Sequence, residues 1–317
     1  MKRFLSRAAL FAGLQLVILV GLYFAARRRP DPYFEMLSTK HAFARAQGSP
    51  RLLLIGGSSL VFGIDSEILA RRLPYRPVNL ALHAGLGLDF ILQDSLREVR
   101  EGDLVVLSLE YSLLSHPVPN RETWEGLLSQ PQVALSMDQR FLGDQGLQFI
   151  AHVARRGRRS LQGLDGRTEG GIYQRSSFNA FGDVAVHRDP ELFKSAMDAH
   201  FEPPVAENDP SPEALRRLSA FVSTCRERGA HVVALCPPLL DSLFHQYKER
   251  LTRVVDAERN IFGPDMLESV EDIPHPIADF FDTVAHLTST AAARNTEKIS
   301  SEISQHLQEM RTSHASR

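Results

Sequence analysis

The chain has 317 residues, a formal net charge of -2, 43% hydrophobic and 23% charged residues, values ordinary for a globular protein with one large core or two modest ones. They exclude a wholly disordered chain and, with no strongly basic lobe, the electrostatic footprint of a nucleic-acid binder. Only two cysteines occur, Cys225 and Cys236, without CxxC spacing, and no histidine falls in an HExxH frame, so neither a disulfide scaffold, a metal site nor a cofactor is expected.

Composition breaks sharply at the N-terminus. Residues 8–26 read AALFAGLQLVILVGLYFAA, with Gln15 as the sole strongly polar interruption, and nineteen residues at 1.5 Å rise reach about 28 Å, close to the thickness of a bilayer core. Phe24 is a poor residue for a cleavage site after Ala26, and the apolar run is long, so a retained single-pass anchor over residues 1–29 is preferred to a cleaved signal peptide. Basic residues flank both ends, Lys2, Arg3 and Arg7 before and Arg27, Arg28 and Arg29 after, which leaves orientation weakly determined. The expected location is the inner (cytoplasmic) membrane with the domain on the extracytoplasmic side. Residues 30–50, punctuated by Pro30, Pro32 and Pro50, read as a juxtamembrane linker with a short helix near 34–46.

From residue 51 strand and helix signals alternate: strand 51–57, helix 65–72, strand 77–82, helix 88–100, strand 103–109. This alternation predicts an α/β domain over 51–317 with a parallel sheet and helices on both faces. Residues 112–210 lose the pattern and read as a long, partly helical insertion. Ser211-Pro212 is a helix N-cap followed by proline at the first turn, opening a helix that stops at Gly229. A fourth strand at 230–235 ends in Cys236-Pro237-Pro238, and residues 288–310 have the composition of a closing helix.

Three segments carry chemistry. Leu52-Leu53-Leu54-Ile55-Gly56-Gly57-Ser58-Ser59 reads as a buried strand delivering a hydroxyl into a turn at the sheet's carboxyl edge, or simply as a tight turn with a capped helix. Asn79-Leu80-Ala81-Leu82-His83-Ala84-Gly85-Leu86-Gly87 sets glycines where a backbone N–H can approach a ligand; without GxGxxG or GK[ST] spacing it does not read as a nucleotide site. In Asp282-Thr283-Val284-Ala285-His286 an acid lies four residues before an imidazole it could orient. Asp183 and His187 repeat that spacing, but only the later pair follows the fourth strand. His83, His116 and His275 read as loop histidines.

In order, Gly56-Gly57-Ser58, the 79–87 segment and Asp282 with His286 resemble blocks I, II and V of the SGNH (GDSL-like) hydrolase superfamily. GGSSLVFGID, NLALHAGLGLDF, GDLVVLSLEYS and FFDTVAHLT are similar to its membrane-anchored bacterial members associated with cell-surface polysaccharide assembly and O-acylation. The resemblance implies a three-layer α/β/α, flavodoxin-like fold with a parallel sheet, following the transmembrane helix. It implies Ser58 as nucleophile, with Ser59 as rival, Asp282 and His286 as its partners, and the backbone N–H groups of Ser58 and Gly85 as oxyanion donors. Two departures stand out. The third strand ends Leu109-Glu110-Tyr111 where block III normally carries an asparagine, with Asn179 a candidate substitute, and block V is one residue longer than DxxH. Glu110 and Tyr111 are expected at the pocket mouth, where they could position a sugar hydroxyl.

The function implied is that of a membrane-anchored serine esterase or O-acyltransferase moving acetyl-type groups on an extracytoplasmic polysaccharide. Its partners would be the membrane, a glycan substrate, and a membrane acyltransferase or polysaccharide export proteins. The alternative is a catalytically weak or inactive accessory protein of an export or modification complex.

Overall fold

Leu52 to Ile55 are apolar without interruption, as suits a strand covered on both sides, and they form the centre of β1 (Arg51–Gly56), which is buried at every position. The structure is a computed structural model; it describes residues 1–28, 31–115, 120–137, 139–164, 172–188 and 209–315. β1 pairs in parallel with β2 (Arg76–Asn79) on one side and β3 (Leu104–Ser108) on the other, and β3 pairs in parallel with β4 (His231–Ala234), giving the order β2-β1-β3-β4. Side chains alternate across this sheet. Leu53, Ile55, Val105 and Leu107 join one buried cluster, Leu52, Leu54, Leu104 and Val106 another.

Helices cover both clusters. The first lies under α2 (Met36–Ala46), α5 (Leu88–Leu96), α8 (Pro212–Glu227) and α9 (Asp241–Phe262). The second lies under α3 (Ser58–Gly63), α4 (Ser66–Arg72) and α10 (Ser289–Ala315). Local signals explain several ends: Asp65 caps α4 by accepting from Glu67 and Ile68 N–H, and Ser211 caps α8 ahead of Pro212. Cys225 and Cys236 are buried free thiols.

Because β1 leads to β2 on one side while β3 lies on the other, the chain reverses direction across the sheet at β1 and β3. That reversal sets the carboxyl ends of β1 and β3 side by side, the usual ligand position in open α/β sheets. Residues 57–59 follow β1 there and residues 109–111 follow β3.

The helix expected near 34–46 is present, but it is no free linker. Tyr33, Phe34, Met36, Leu37 and Ala44 belong to the main core, since their apolar side chains pack against the sheet-covering helices. Within the expected insertion, α6 (Arg121–Ser129) and α7 (Gln139–Leu161) are ordered elements. Residues 116–119, which include His116, and the remainder of 165–171 and 189–208 lie outside the described residues. The N-terminal α1 (Lys2–Arg28) is long and apolar enough to cross a membrane, with 6% of its most apolar window buried.

Candidate active site

The two glycines after β1 have a steric cause. A Cβ on Gly56 would stand 2.0 Å from the Ser108 carbonyl oxygen, and one on Gly57 would stand 2.3 Å from Glu110 Oε2. Only glycine lets the turn close against the end of β3. Gly57 then precedes α3, whose first two residues are the serines.

The serines have different fates. Ser59 is fully buried; its N–H and its hydroxyl both donate to Glu110 Oε1, each at 2.9 Å. Ser58 is half-buried, and its Oγ makes no hydrogen bond among the described residues. Of the two candidate nucleophiles, Ser59 is a structural tie and Ser58 is the hydroxyl left without a hydrogen bond among the described residues.

Phe62 lies four residues after Ser58 on the same face of α3, and the His286 ring stacks on it with centroids 4.2 Å apart and planes 7° from parallel. The helix that begins at Ser58 thus also supplies the platform for the imidazole. His286 Nδ1 lies 2.8 Å from Asp282 Oδ1. The turn between them is pinned by Thr283, whose Oγ1 accepts from the N–H groups of Ala285 and His286 at 3.3 and 3.1 Å. The additional residue in this block is therefore absorbed in a capped turn that still delivers the acid to Nδ1. His286 Nε2 makes no hydrogen bond among the described residues, and none links it to Ser58 Oγ.

Tyr173 completes the acid's coordination, its hydroxyl donating to Asp282 Oδ2 at 2.7 Å and lying 3.4 Å from His286 Nδ1. Burial alone would raise the Asp282 carboxyl, but the hydrogen bond and charge of His286 and the Tyr173 hydroxyl together hold it below the usual carboxylate range. The carboxylate stays ionised and can support an imidazolium. Tyr173 packs edge-on against Tyr33, which packs edge-on against His83. These rings, with Asp31 and Arg121, line a vestibule of about 350 Å3.

Several expected site residues sit elsewhere. Gly85 N–H donates to His83 Nδ1 at 2.9 Å, so this expected oxyanion donor is occupied within its own loop. Tyr111 is buried with its hydroxyl donating to the Pro237 carbonyl at 2.6 Å, and Glu110 is buried beneath the turn, so neither stands at a pocket mouth. Asn179 belongs to a turn: its Oδ1 accepts from Phe181 and Asp183 N–H, and its amide donates to Asp183, 3.4 Å away. None of its hydrogen bonds reaches the Ser58 turn. Asn79 and Asp183 are also structural; the Asp183 carboxylate receives Asn79 Nδ2, Ser66 N–H and Ser66 Oγ, while Lys40 Nζ donates to the Asn79 carbonyl. With Asp183 buried there and His187 exposed, the second Asp/His spacing forms no dyad.

Neither a known protein family nor a curated protein matches the chain. What the arrangement can do chemically follows from the residues themselves. Ser58 opens the helix whose Phe62 ring carries His286, and Asp282 holds Nδ1, an arrangement with the residue types that a serine nucleophile with an oriented base requires. Sequence reasoning missed Phe62, Tyr173, Tyr33 and the vestibule position of His83. Phe62 was detectable as the aromatic at i+4 from Ser58; Tyr173 stands in a stretch without periodicity and gave no signal.

Proposed function

We propose that this protein is a membrane-anchored serine esterase or O-acyltransferase with the three-layer α/β/α architecture of SGNH-like hydrolases, moving acetyl-type groups on an extracytoplasmic polysaccharide. The observation that carries the reading is the seating of His286: one helix, α3, presents Ser58 and the Phe62 ring on which the imidazole lies, while Asp282 holds Nδ1 at 2.8 Å. An Nδ1–H···carboxylate bond fixes the tautomer in which Nε2 is the base.

In this reading Ser58 Oγ attacks the ester carbonyl as His286 Nε2 takes its proton. The tetrahedral intermediate collapses, its alcohol leaving with that proton, and an acyl-Ser58 ester remains. Water or a sugar hydroxyl then attacks the acyl-enzyme, its proton passing to His286 and on to Ser58 as the acyl group departs. Ser58 N–H, the first of its helix and without an intrahelical acceptor, is the backbone donor left for the oxyanion, since Gly85 N–H is engaged by His83. Burial and the nearby His286 charge push the His83 imidazole below its usual range. With Nδ1 accepting from Gly85, its proton is on Nε2, a neutral donor in the vestibule wall.

The second reading is an accessory protein that keeps the fold without turnover. The occupied Gly85 N–H and the absence of a Ser58–His286 hydrogen bond favour it. Fluorophosphonate labelling of the full-length protein, read by intact mass, separates the two. Labelling that survives Ser59→Ala in a folded protein but is lost in Ser58→Ala supports the enzyme; a folded wild type that takes no label supports the accessory role.

A further inference from the structure

The vestibule shares Asp31 and Arg121 with a larger open trough of about 750 Å3. Its walls come from α6 and α7 and include Arg121, Arg155, Arg156, Arg159, His152 and Trp124. Four guanidinium groups there face two carboxylates, Asp31 and Glu125. Glu125 is already engaged, with Arg156 Nε at 3.0 Å and His152 Nε2 at 3.1 Å. Arg121, Arg155 and Arg159 are exposed and have no carboxylate partner among the described residues. A concave surface with three unneutralised guanidinium groups is built to hold an anion with several acceptor oxygens.

The position of the trough says where that anion comes from. Asp31 follows the end of α1 by three residues, Arg28 to Asp31, at most about 11 Å of extended chain. α7 packs directly on the last turns of α1: Val153 clusters with Ala26, Leu19 and Tyr23, and a Cβ on Gly157 would strike the Leu22 carbonyl at 2.3 Å. α7 also exposes Leu147 by 82% and Leu161 by 70%. A basic helix with exposed leucines, lying against the end of a membrane-spanning helix, belongs in the headgroup layer, arginines toward phosphates and leucines toward acyl chains.

We propose that this trough binds the phosphate of a net-anionic lipid phosphodiester, one whose headgroup carries no cation of its own, at the bilayer surface, seating the vestibule and Ser58 against the membrane. The proposal rests on α1 spanning the membrane and not on the triad, so it stands or falls separately from the catalytic reading.

The test uses the full-length protein in mild detergent and native mass spectrometry with equimolar phosphatidylglycerol and phosphatidylcholine of identical chains. The expected result is preferential retention of phosphatidylglycerol by about 100-fold, the scale of three arginines at a membrane surface. In R121Q/R155Q/R159Q the preference falls to near unity; in R71Q/R76Q/R253Q, the same charge change at exposed sites outside the trough, it persists. Circular dichroism and thermal unfolding establish that both variants are folded. Equal retention of the two lipids by wild type, or a preference that survives the trough variant, overturns the proposal. So does binding of an oligouronate in place of phosphatidylglycerol, which reassigns the trough to an acidic glycan. Soluble pyrophosphate identifies the source: displacement of the lipid by it shows that the phosphate alone is read, and resistance shows that the acyl chains add to the site. Carbonate extraction of membranes tests the anchor itself; release of the protein into the soluble fraction removes the premise independently of the lipid result.

Discussion

Glu110 offers the sharpest physical test, because its two roles, polar site residue or structural brace, predict opposite behaviour for two substitutions. In Glu110→Ala the Ser59 N–H and hydroxyl lose the oxygen that accepts both at 2.9 Å, in a place where Ser59 has no solvent access. Each stranded donor costs about 1–3 kcal/mol. The hydroxyl can rotate toward a helix carbonyl, so the lower part of the summed range, about 2–4 kcal/mol, is the expected loss. For a domain of this size that is a drop in Tm of roughly 5–15 °C. Glu110→Gln keeps a carbonyl oxygen for Ser59. Burial pushes the Glu110 carboxyl up, against the opposing pull of Ser59 and the His286 charge, and Oε2 has no hydrogen-bond partner among the described residues; burial thus favours the uncharged form that the amide mimics, and the isostere should cost under about 1 kcal/mol. The assay is scanning fluorimetry of the full-length protein in detergent, with fluorophosphonate labelling rate measured in parallel. If Gln destabilises as much as Ala, the amide does not substitute for the carboxyl and the argument from burial is wrong. If Ala is harmless, the brace itself is wrong.

Asp282→Asn should leave the fold intact and slow fluorophosphonate labelling by about 10³- to 10⁴-fold, since an amide at Nδ1 permits the wrong imidazole tautomer; a rate within tenfold of wild type would remove Asp282 from the mechanism. Tyr173→Phe removes one of the two side-chain hydrogen bonds on the Asp282 carboxylate among the described residues and should slow labelling by about 10-fold while leaving Tm within a few degrees; no change would reduce Tyr173 to a wall of the vestibule. Glu258 is buried and pushed up to about 8 by burial alone from 4.5 in the unfolded chain. A raised carboxyl binds its proton more tightly when folded, so its contribution is fully present below the unfolded value and is lost as pH rises through about 8. Wild-type Tm should therefore fall between pH 5 and 9 more steeply than that of Glu258→Gln, and parallel curves would refute the assignment.

The parallel sheet was legible because its strands are apolar runs set off by glycine, proline and capping signals; Asp65 and Ser211 cap helices as their sequence positions suggest. The dyad was legible because an Asp and His four apart, after the last strand, need only a local turn to meet. What escaped was everything decided by distant packing. Residues 30–50 look like a linker because they are polar and proline-bearing, yet Tyr33, Phe34, Met36, Leu37 and Ala44 join the core, and between them His41 is held by Asp94 and Glu98. Gly85 looked available because sequence does not reveal that His83, two residues earlier, turns its Nδ1 back on that N–H. Tyr111 and Asn179 carry polar groups that suit a site, and each is spent on a backbone or turn contact only the folded chain defines.

In the proposed reading, the end of the third strand is where this chain departs most from SGNH-like hydrolases, and the geometry gives that departure a meaning. An asparagine there would be an amide donating into the site. Glu110 instead accepts from the nucleophile's turn and lies under it. In the proposed reading the carboxyl contacts the neighbouring serine rather than the reacting oxygen, and Ser59 ties α3 to the segment after β3 while Ser58 makes no hydrogen bond among the described residues. A residue in the site alters rate with little effect on stability, whereas a residue beneath it alters stability first and rate only through the position of Ser58. In Glu110→Ala, labelling should therefore recover as temperature is lowered or lipid is added to restore the fold, while in Asp282→Asn it should not. If Glu110→Ala stayed slow in a fully folded protein, the carboxyl would be acting on the reaction itself and the assignment of roles at this site would have to be reversed.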